Sequence, residues 1–230
     1  MRLAMWSGPR NLSTAMMYSF AARDDFSAVD EPFYAPYLAA TGLDHPMRDK
    51  ILAAHETDPA KVSAACKEEG RPHRYLKVMP HHMIDGFPMD WAEGCIHVHL
   101  IRHPARVIAS YAAKREAPTL KDIGYPQQSA LYDRVGGIVV DSTDIRANPS
   151  HLLQQLCDRI GLTFDPAMLA WPAGPRPFDG VWAAHWYGAV HQSTGFAGAE
   201  GPLPELSPAQ QGLMAEALPH YERLANLRLK

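Results

Sequence analysis

Arg2-Leu3-Ala4-Met5-Trp6-Ser7, then Gly8-Pro9-Arg10-Asn11, then Leu12-Ser13-Thr14-Ala15-Met16 is the stretch whose reading decides the fold. A short apolar run ended by Gly-Pro reads as a buried first strand. Beyond it Leu12, Ala15, Met16, Ser19 and Phe20 recur at helical spacing, with Asn11 placed to cap the helix. A strand that turns tightly into a helix aims the first backbone N–H groups of that helix into the loop, and the helix dipole favours an anion there. Gly8 permits close backbone approach, and Arg10 adds charge on a planar donor fork. Ser13 and Thr14 offer hydroxyls to phosphate or sulfate oxygens. The loop lacks GxxxxGK[ST] and sets Arg10 ahead of its hydroxyls, so it is not a Walker A loop.

The pattern repeats along the chain. Phe26–Val29 predicts a second strand closed by Asp30-Glu31-Pro32, and residues 36–70 read as helical and partly polar. Tyr75–Met79 and Cys95–Ile101 predict a third and a fourth strand. A helix with Pro104 in its first turn follows and runs to Lys114. Gly137–Asp141 reads as a fifth strand, Pro149–Ile160 as a helix stopped by Gly161, and Ser207–Leu224 as a closing helix. Strands alternating with helices predict a three-layer α/β/α fold with a mostly parallel sheet of about five strands, in one domain over residues 1–230. Residues 172–204 are irregular and rich in Pro, Gly and aromatics, as lids and binding loops are.

A second anion site is expected at Arg102-His103-Pro104, where the fourth strand ends. Ser110 lies eight residues on, about two helical turns, so arginine and serine can converge on one phosphate at the carboxyl edge of the sheet.

Taken together, the two sites resemble the sulfotransferases that use 3′-phosphoadenosine 5′-phosphosulfate (PAPS), a family with a P-loop nucleotide-hydrolase-like fold. Pro9-Arg10-Asn11-Leu12-Ser13-Thr14 is similar to that family's 5′-phosphosulfate loop, with Asn11-Leu12 where Ser-Gly is usual. Arg102, Pro104 and Ser110 match its 3′-phosphate motif, with His103 in place of the acid. Val139–Asp141 through Ile145, then Asn148-Pro149, resembles its late strand and following helix. The likeness covers about residues 1–165; beyond them Arg176, Gly180 and Trp182 are the counterparts of its C-terminal nucleotide loop.

The resemblance implies transfer of a sulfuryl group from PAPS to a hydroxyl or amine of a small-molecule acceptor, leaving PAP, the 3′,5′-bisphosphate. Such transfer needs an in-line nucleophile, a proton acceptor and donors around the moving charge. Arg10 is the candidate for the leaving group. Glu31, in Asp30-Glu31-Pro32, resembles the glutamate base of some members. His81 and His82, after Lys77-Val78-Met79-Pro80, are the competing candidates, since other members use a Lys…His…Pro segment with the lysine on the sulfuryl group. A histidine's ordinary pKa suits proton removal at neutral pH, whereas Glu31 needs help from burial. Position along the chain favours Glu31. Trp182, Trp186, Tyr187, His185 and His191 are read as core or as the wall of an acceptor pocket.

Two rivals stand beside this reading: a P-loop-like ATP-dependent phosphotransferase, and a non-catalytic PAP- or nucleotide-binding module. The first lacks the Walker A lysine and a clear metal-holding acid. No metal is expected, and His97 and His99, which share a face of the fourth strand, lack a third ligand. A net charge of −3 argues against general nucleic-acid binding. No apolar run approaches the roughly 18 residues of a membrane span. Cys66, Cys95 and Cys157 are odd in number and far apart, and Met1–Met5 is too short for a signal peptide, so a cytoplasmic protein is expected. The acceptor and the oligomeric state, a homodimer included, are not legible from the chain.

Overall fold

The computed structural model describes residues 1–68, 71–113 and 118–230. In chain order the elements are β1 (Arg2–Ser7), α1 (Ser13–Ala21), β2 (Phe26–Asp30), α2 (Tyr34–Thr41), α3 (Arg48–Ala54), α4 (Pro59–Lys67), β3 (His73–Val78), β4 (Ile96–Ile101), α5 (Pro104–Ala112), α6 (Leu120–Ile123), α7 (Tyr125–Val135), β5 (Ile138–Asp141), α8 (Ser142–Ala147), α9 (Pro149–Arg159), α10 (Ala183–Trp186), α11 (Gly188–His191) and α12 (Pro208–Ala225). The five strands form one parallel sheet in the order β2-β3-β1-β4-β5. β1 lies at its centre, with Leu3 opposite Tyr75 of β3 and Ile96 of β4.

Alternation along β1 builds the three layers, because successive side chains point to opposite faces. Leu3 and Met5 join a core with Met16 and Phe20 of α1 and Leu153 and Leu156 of α9. Ala4 and Trp6 pack on the other face with Val62 and Cys66 of α4, Trp91 and Leu131 of α7. At the far edge Ile101 and Val139 are covered by Leu224 and Ala225 of α12. Both faces being buried, β1 reads as a continuous apolar run.

Several expectations are corrected in detail. Residues 36–68 are not one helical stretch: the chain breaks at Gly42 and Met47, both with left-handed backbone, and restarts at Asp58, whose side chain caps α4. The residue before α1 is Leu12, and no side chain caps that helix; the Asn11 amide instead donates to the Leu100 carbonyl (3.3 Å). Gly8 is required by the protein itself, since a Cβ there would stand 2.8 Å from the Ile123 carbonyl oxygen. The expected end of the helix at Lys114, like Gly70, lies outside the described residues. Residues 183–191 of the irregular stretch form two one-turn helices, α10 and α11.

Candidate functional site

A cavity of about 270 Å³ opens at the carboxyl edge of the sheet. It is walled by the β1–α1 loop, by Glu31 after β2, by Lys77 and the turn after β3, by Arg102 after β4 and by Ser142 after β5. The carboxyl edge is where open α/β sheets bind ligands, because the loops there leave crevices between oppositely directed connections. Of the expected residues, Pro9, Arg10, Asn11, Leu12, Ser13, Thr14, Glu31, Lys77, His81, His82, Arg102 and Ser110 all line it.

The backbone around this cavity is unusual. Among the described residues, the non-glycine positions with positive φ are Arg10 (62°), Leu12 (73°), Glu31 (41°) and Met47 (64°). Three of the four line the cavity. Left-handed backbone costs an L-residue of order 1–3 kcal/mol, and such strain gathers at binding and catalytic sites. Leu12 keeps the conformation natural to the glycine that the resembling loops carry there.

The end of the cavity beneath β2 and β3 is acidic. Lys77 is almost fully buried and donates to Asp30 Oδ1 (2.9 Å), to Glu31 Oε1 (2.7 Å) and to the Tyr187 hydroxyl. The Tyr187 hydroxyl in turn donates to Asp30 (2.8 Å) and accepts from Trp182 Nε1 (3.1 Å). Two carboxylates thus face one ammonium. Burial pushes the Glu31 carboxyl above its ordinary range, and Lys77 only partly offsets it. For Lys77 burial works against the charge, but Asp30 and Glu31 outweigh it and hold the ammonium above its usual value. Oε2 of Glu31 lies 4.0 Å from His82 Nδ1, too long for a hydrogen bond.

The histidines sit against the same acid. His82 is stacked between Tyr34 (4.6 Å) and Tyr37 (4.9 Å) and lies next to His81. Burial drives both imidazoles down, His81 to about 4, so both are neutral at neutral pH. The Nδ1 atoms of His81 and His82 are buried with no hydrogen-bond partner among the described residues.

The other end, beneath β4 and β5, is cationic. Arg10 Nε donates to Ser110 Oγ (3.0 Å), and Arg102 Nη1 donates to the Arg10 carbonyl (2.8 Å). Arg146 completes this wall. Arg10, expected at the leaving group, sits between the two anion sites: its guanidinium bonds Ser110, and its backbone carbonyl accepts from Arg102. Of the expected nucleotide loop, none of Arg176, Gly180 and Trp182 lines the cavity. The Gly180 amide donates to Asp30 Oδ2 (3.1 Å), and Trp182 packs against Tyr34 and His55, so this stretch supports the acidic cluster from outside. Arg176 lies over the Tyr18 ring and donates to the Pro172 carbonyl. From the irregular stretch it is Trp186, Tyr187, Ala189, Val190 and Ala197 that reach the cavity. Arg146 was missed, although it follows a strand end as Arg102 does. His99 bonds the Gly136 carbonyl (2.9 Å), and His97 accepts from Trp6 Nε1 (3.0 Å).

Residues 1–227 match the family model described as a sulfotransferase domain. The chain belongs to this family. Two curated relatives from Arabidopsis thaliana, branched-chain-amino-acid aminotransferase-like proteins 1 and 2, are 36% and 34% identical over 227 residues. Each match takes in 95% of this chain, which spans only about 40% of the length of those relatives. The sulfotransferase domain from the curacin biosynthetic pathway resembles the structure with a TM-score of 0.57 at 15% identity, covering 93% of this chain and 96% of that one. The sulfotransferase domain of the Synechococcus PCC 7002 olefin synthase gives 0.52 at 18% identity, with 94% of each chain covered. A sulfotransferase from Alicyclobacillus acidocaldarius gives 0.54 at 11% identity, covering 100% and 98%. At these identities the likeness of the solved structures bears on the fold, the α/β architecture of sulfotransferases. Among the described residues no helix is long and apolar enough to cross a membrane, and no cluster of metal-ligating side chains occurs.

Proposed function

We propose that this sulfotransferase-family protein moves a sulfuryl group from PAPS to the hydroxyl or amine of a small acceptor. The observation that carries the reading is one cavity with a surplus of arginine at one end and of carboxylate at the other. Arg10, Arg102, Arg146 and Ser110 fit a phosphate, and the uncapped first turn of α1, with no acidic residue in it, fits a second anionic group beside Ser13 and Thr14. A nucleotide with phosphate on both its 3′ and 5′ sides meets both demands. The donor supplies an activated S–O bond. Nothing in that chemistry obliges the protein to hold a metal.

Glu31 is the proposed base. Its raised carboxyl is the stronger proton acceptor here, because burial that strengthens a carboxylate as a base weakens an imidazole. The acceptor O–H gives its proton to Oε2 as its oxygen bonds to sulfur, and the bond from sulfur to the 5′-phosphate oxygen breaks, with PAP leaving on that electron pair. Lys77, held on the other carboxylate oxygen, fixes the orientation of Glu31 and places positive charge near the transferring group. His81, His82 and Tyr34 would line the acceptor side.

The test is direct. The protein is incubated with PAPS and a panel of phenols, alcohols and amines, and products are scored by mass spectrometry for gain of a sulfuryl group with matching release of PAP. Transfer to at least one class supports the proposal. PAP-free mixtures across a broad panel would favour a nucleotide-binding module without turnover.

A further inference from the structure

Behind the cationic wall lies a carboxylate that the proposed chemistry does not use. Glu200 stands in an exposed stretch, Gly198-Ala199-Glu200-Gly201-Pro202, yet its side chain is only 1% exposed. Arg102 donates to Oε1 through Nε (3.0 Å) and also through Nη2, and Arg146 Nη1 donates to the same oxygen (2.9 Å). Arg106 Nε lies 2.9 Å from Oε2, and Thr143 Oγ1 donates to it (2.9 Å). The backbone joins in: Arg146 Nε donates to the Gly198 carbonyl (2.9 Å), and Arg106 donates to the carbonyls of Gly201 and Pro202. One carboxylate therefore gathers guanidiniums from the end of β4, from α5 and from α8.

Which faces are used decides what this cluster can do. Arg102 and Arg146 line the cavity, while Glu200 and Arg106 do not. Among the described residues, Arg102 spends Nε and one N–H each of Nη2 and Nη1 on Glu200 and the Arg10 carbonyl, which leaves one N–H on each terminal nitrogen. Arg146 spends Nε and part of Nη1 and keeps Nη2. Neighbouring guanidiniums repel, and without a shared counter-charge they splay toward water. A buried carboxylate bonded to both sets their separation and their planes, so that no ordering is left to be done when a phosphate arrives. If Glu200 were instead a plug occupying the phosphate's own place, it would line the cavity, and it does not.

We propose that Glu200 is a positioning residue: it locks Arg102 and Arg146 into one pair aimed at the 3′-phosphate of the donor, and so sets discrimination between nucleotides with and without that phosphate. This rests on the donor reading given above. The experiment is calorimetric titration of wild type, Glu200→Gln and Glu200→Asp with PAP and with ADP at one salt concentration. Glu200→Gln should weaken PAP by about tenfold, a typical coupling within a charged network, and leave ADP unchanged. Glu200→Asp should fall between. A loss shared equally by PAP and ADP would mean a merely structural role, and tighter PAP binding would mean that Glu200 competes with phosphate; either overturns the proposal. Equal PAP and ADP affinity in the wild type would instead sink the donor reading, and this proposal with it. If Glu200→Gln does not fold, Thr143→Val removes one hydrogen bond from the same carboxylate and should narrow the PAP-to-ADP ratio in the same direction. An unchanged ratio in that variant overturns the proposal.

Discussion

At the β2–β3 end of the cavity one buried ammonium, Lys77, serves two carboxylates, whereas at the β4–β5 end three guanidiniums, those of Arg102, Arg106 and Arg146, share Glu200. Both clusters are built at or beyond the ends of parallel strands, and both are largely cut off from water. They differ in which sign is left over. The acidic end keeps a surplus carboxylate whose proton affinity burial raises, which suits the work of taking a proton. The cationic end keeps surplus positive charge and free donors, which suits the holding of an anion. In the proposed reaction a donor carrying phosphates would enter such a cavity in one sense only, leaving the acceptor at the other end. Division of charge along the cavity would then do the orienting that in-line transfer needs.

The division can be broken from the acidic side with the largest expected effect. Glu31→Gln should cut turnover roughly 10²-fold or more, because the amide keeps the shape but cannot accept the proton. PAP affinity should be unchanged, since the arginines are untouched. Steady-state kinetics with titration of PAP checks both. Near-normal turnover in Glu31→Gln, with His81→Ala or His82→Ala inactive, would move the base to the histidines.

From the cationic side, Arg102→Ala should remove about 1.5–3 kcal/mol from PAP binding, the range for a lost hydrogen bond to a charged group. ADP should lose far less. Competition binding against both nucleotides makes the comparison, and an equal loss would separate Arg102 from the 3′-phosphate.

A smaller effect sharpens the contrast through pH. His81 is held neutral by burial, with a folded pKa of about 4 against about 6.5 in the unfolded chain. Between those values the unfolded state binds the proton and the folded state does not, so this contribution to stability is complete above pH 6.5 and falls as pH drops toward 4. His81→Gln should flatten the slope of unfolding free energy across that window by up to about 1.4 kcal/mol per pH unit. Denaturant titrations from pH 4.5 to 7 would show it, and an unaltered slope would mean that His81 titrates normally.

The sheet was legible because its strands are short apolar runs ended by Gly, Pro or a charged pair; each strand lies within two residues of its expected bounds. Helix α7 was not, and the reason is physical. Its buried face carries Gln128 and Ser129, and Gln128 donates to the carbonyls of Trp6 (3.2 Å) and Leu100 (3.0 Å). Hydrophobic periodicity cannot see a helix that is buried by its amides. In the site, Glu31, Lys77 and Arg102 could be picked out from their places at or just beyond strand ends, and Ser110 from its spacing two helical turns after Arg102. The pairing of Arg10 with Ser110 could not, because it depends on the left-handed backbone at Arg10. Glu200 was invisible for a different reason. Its partners come from three elements more than fifty residues away, and nothing local in Gly198–Pro202 marks it.

The most direct test of the divided cavity is the affinity of the wild-type protein for PAP and for ADP, measured by calorimetry at a single salt concentration. The two ligands share adenosine and its 5′-phosphate and each carries two phosphates, but ADP has its second on the 5′ side and only PAP brings one on the 3′ side to Arg102, Arg146 and Ser110. PAP should bind at least about tenfold more tightly, as one added charge-assisted phosphate contact requires. Equal affinities would contradict the assignment of the cationic end to a 3′-phosphate, and with it the proposed donor.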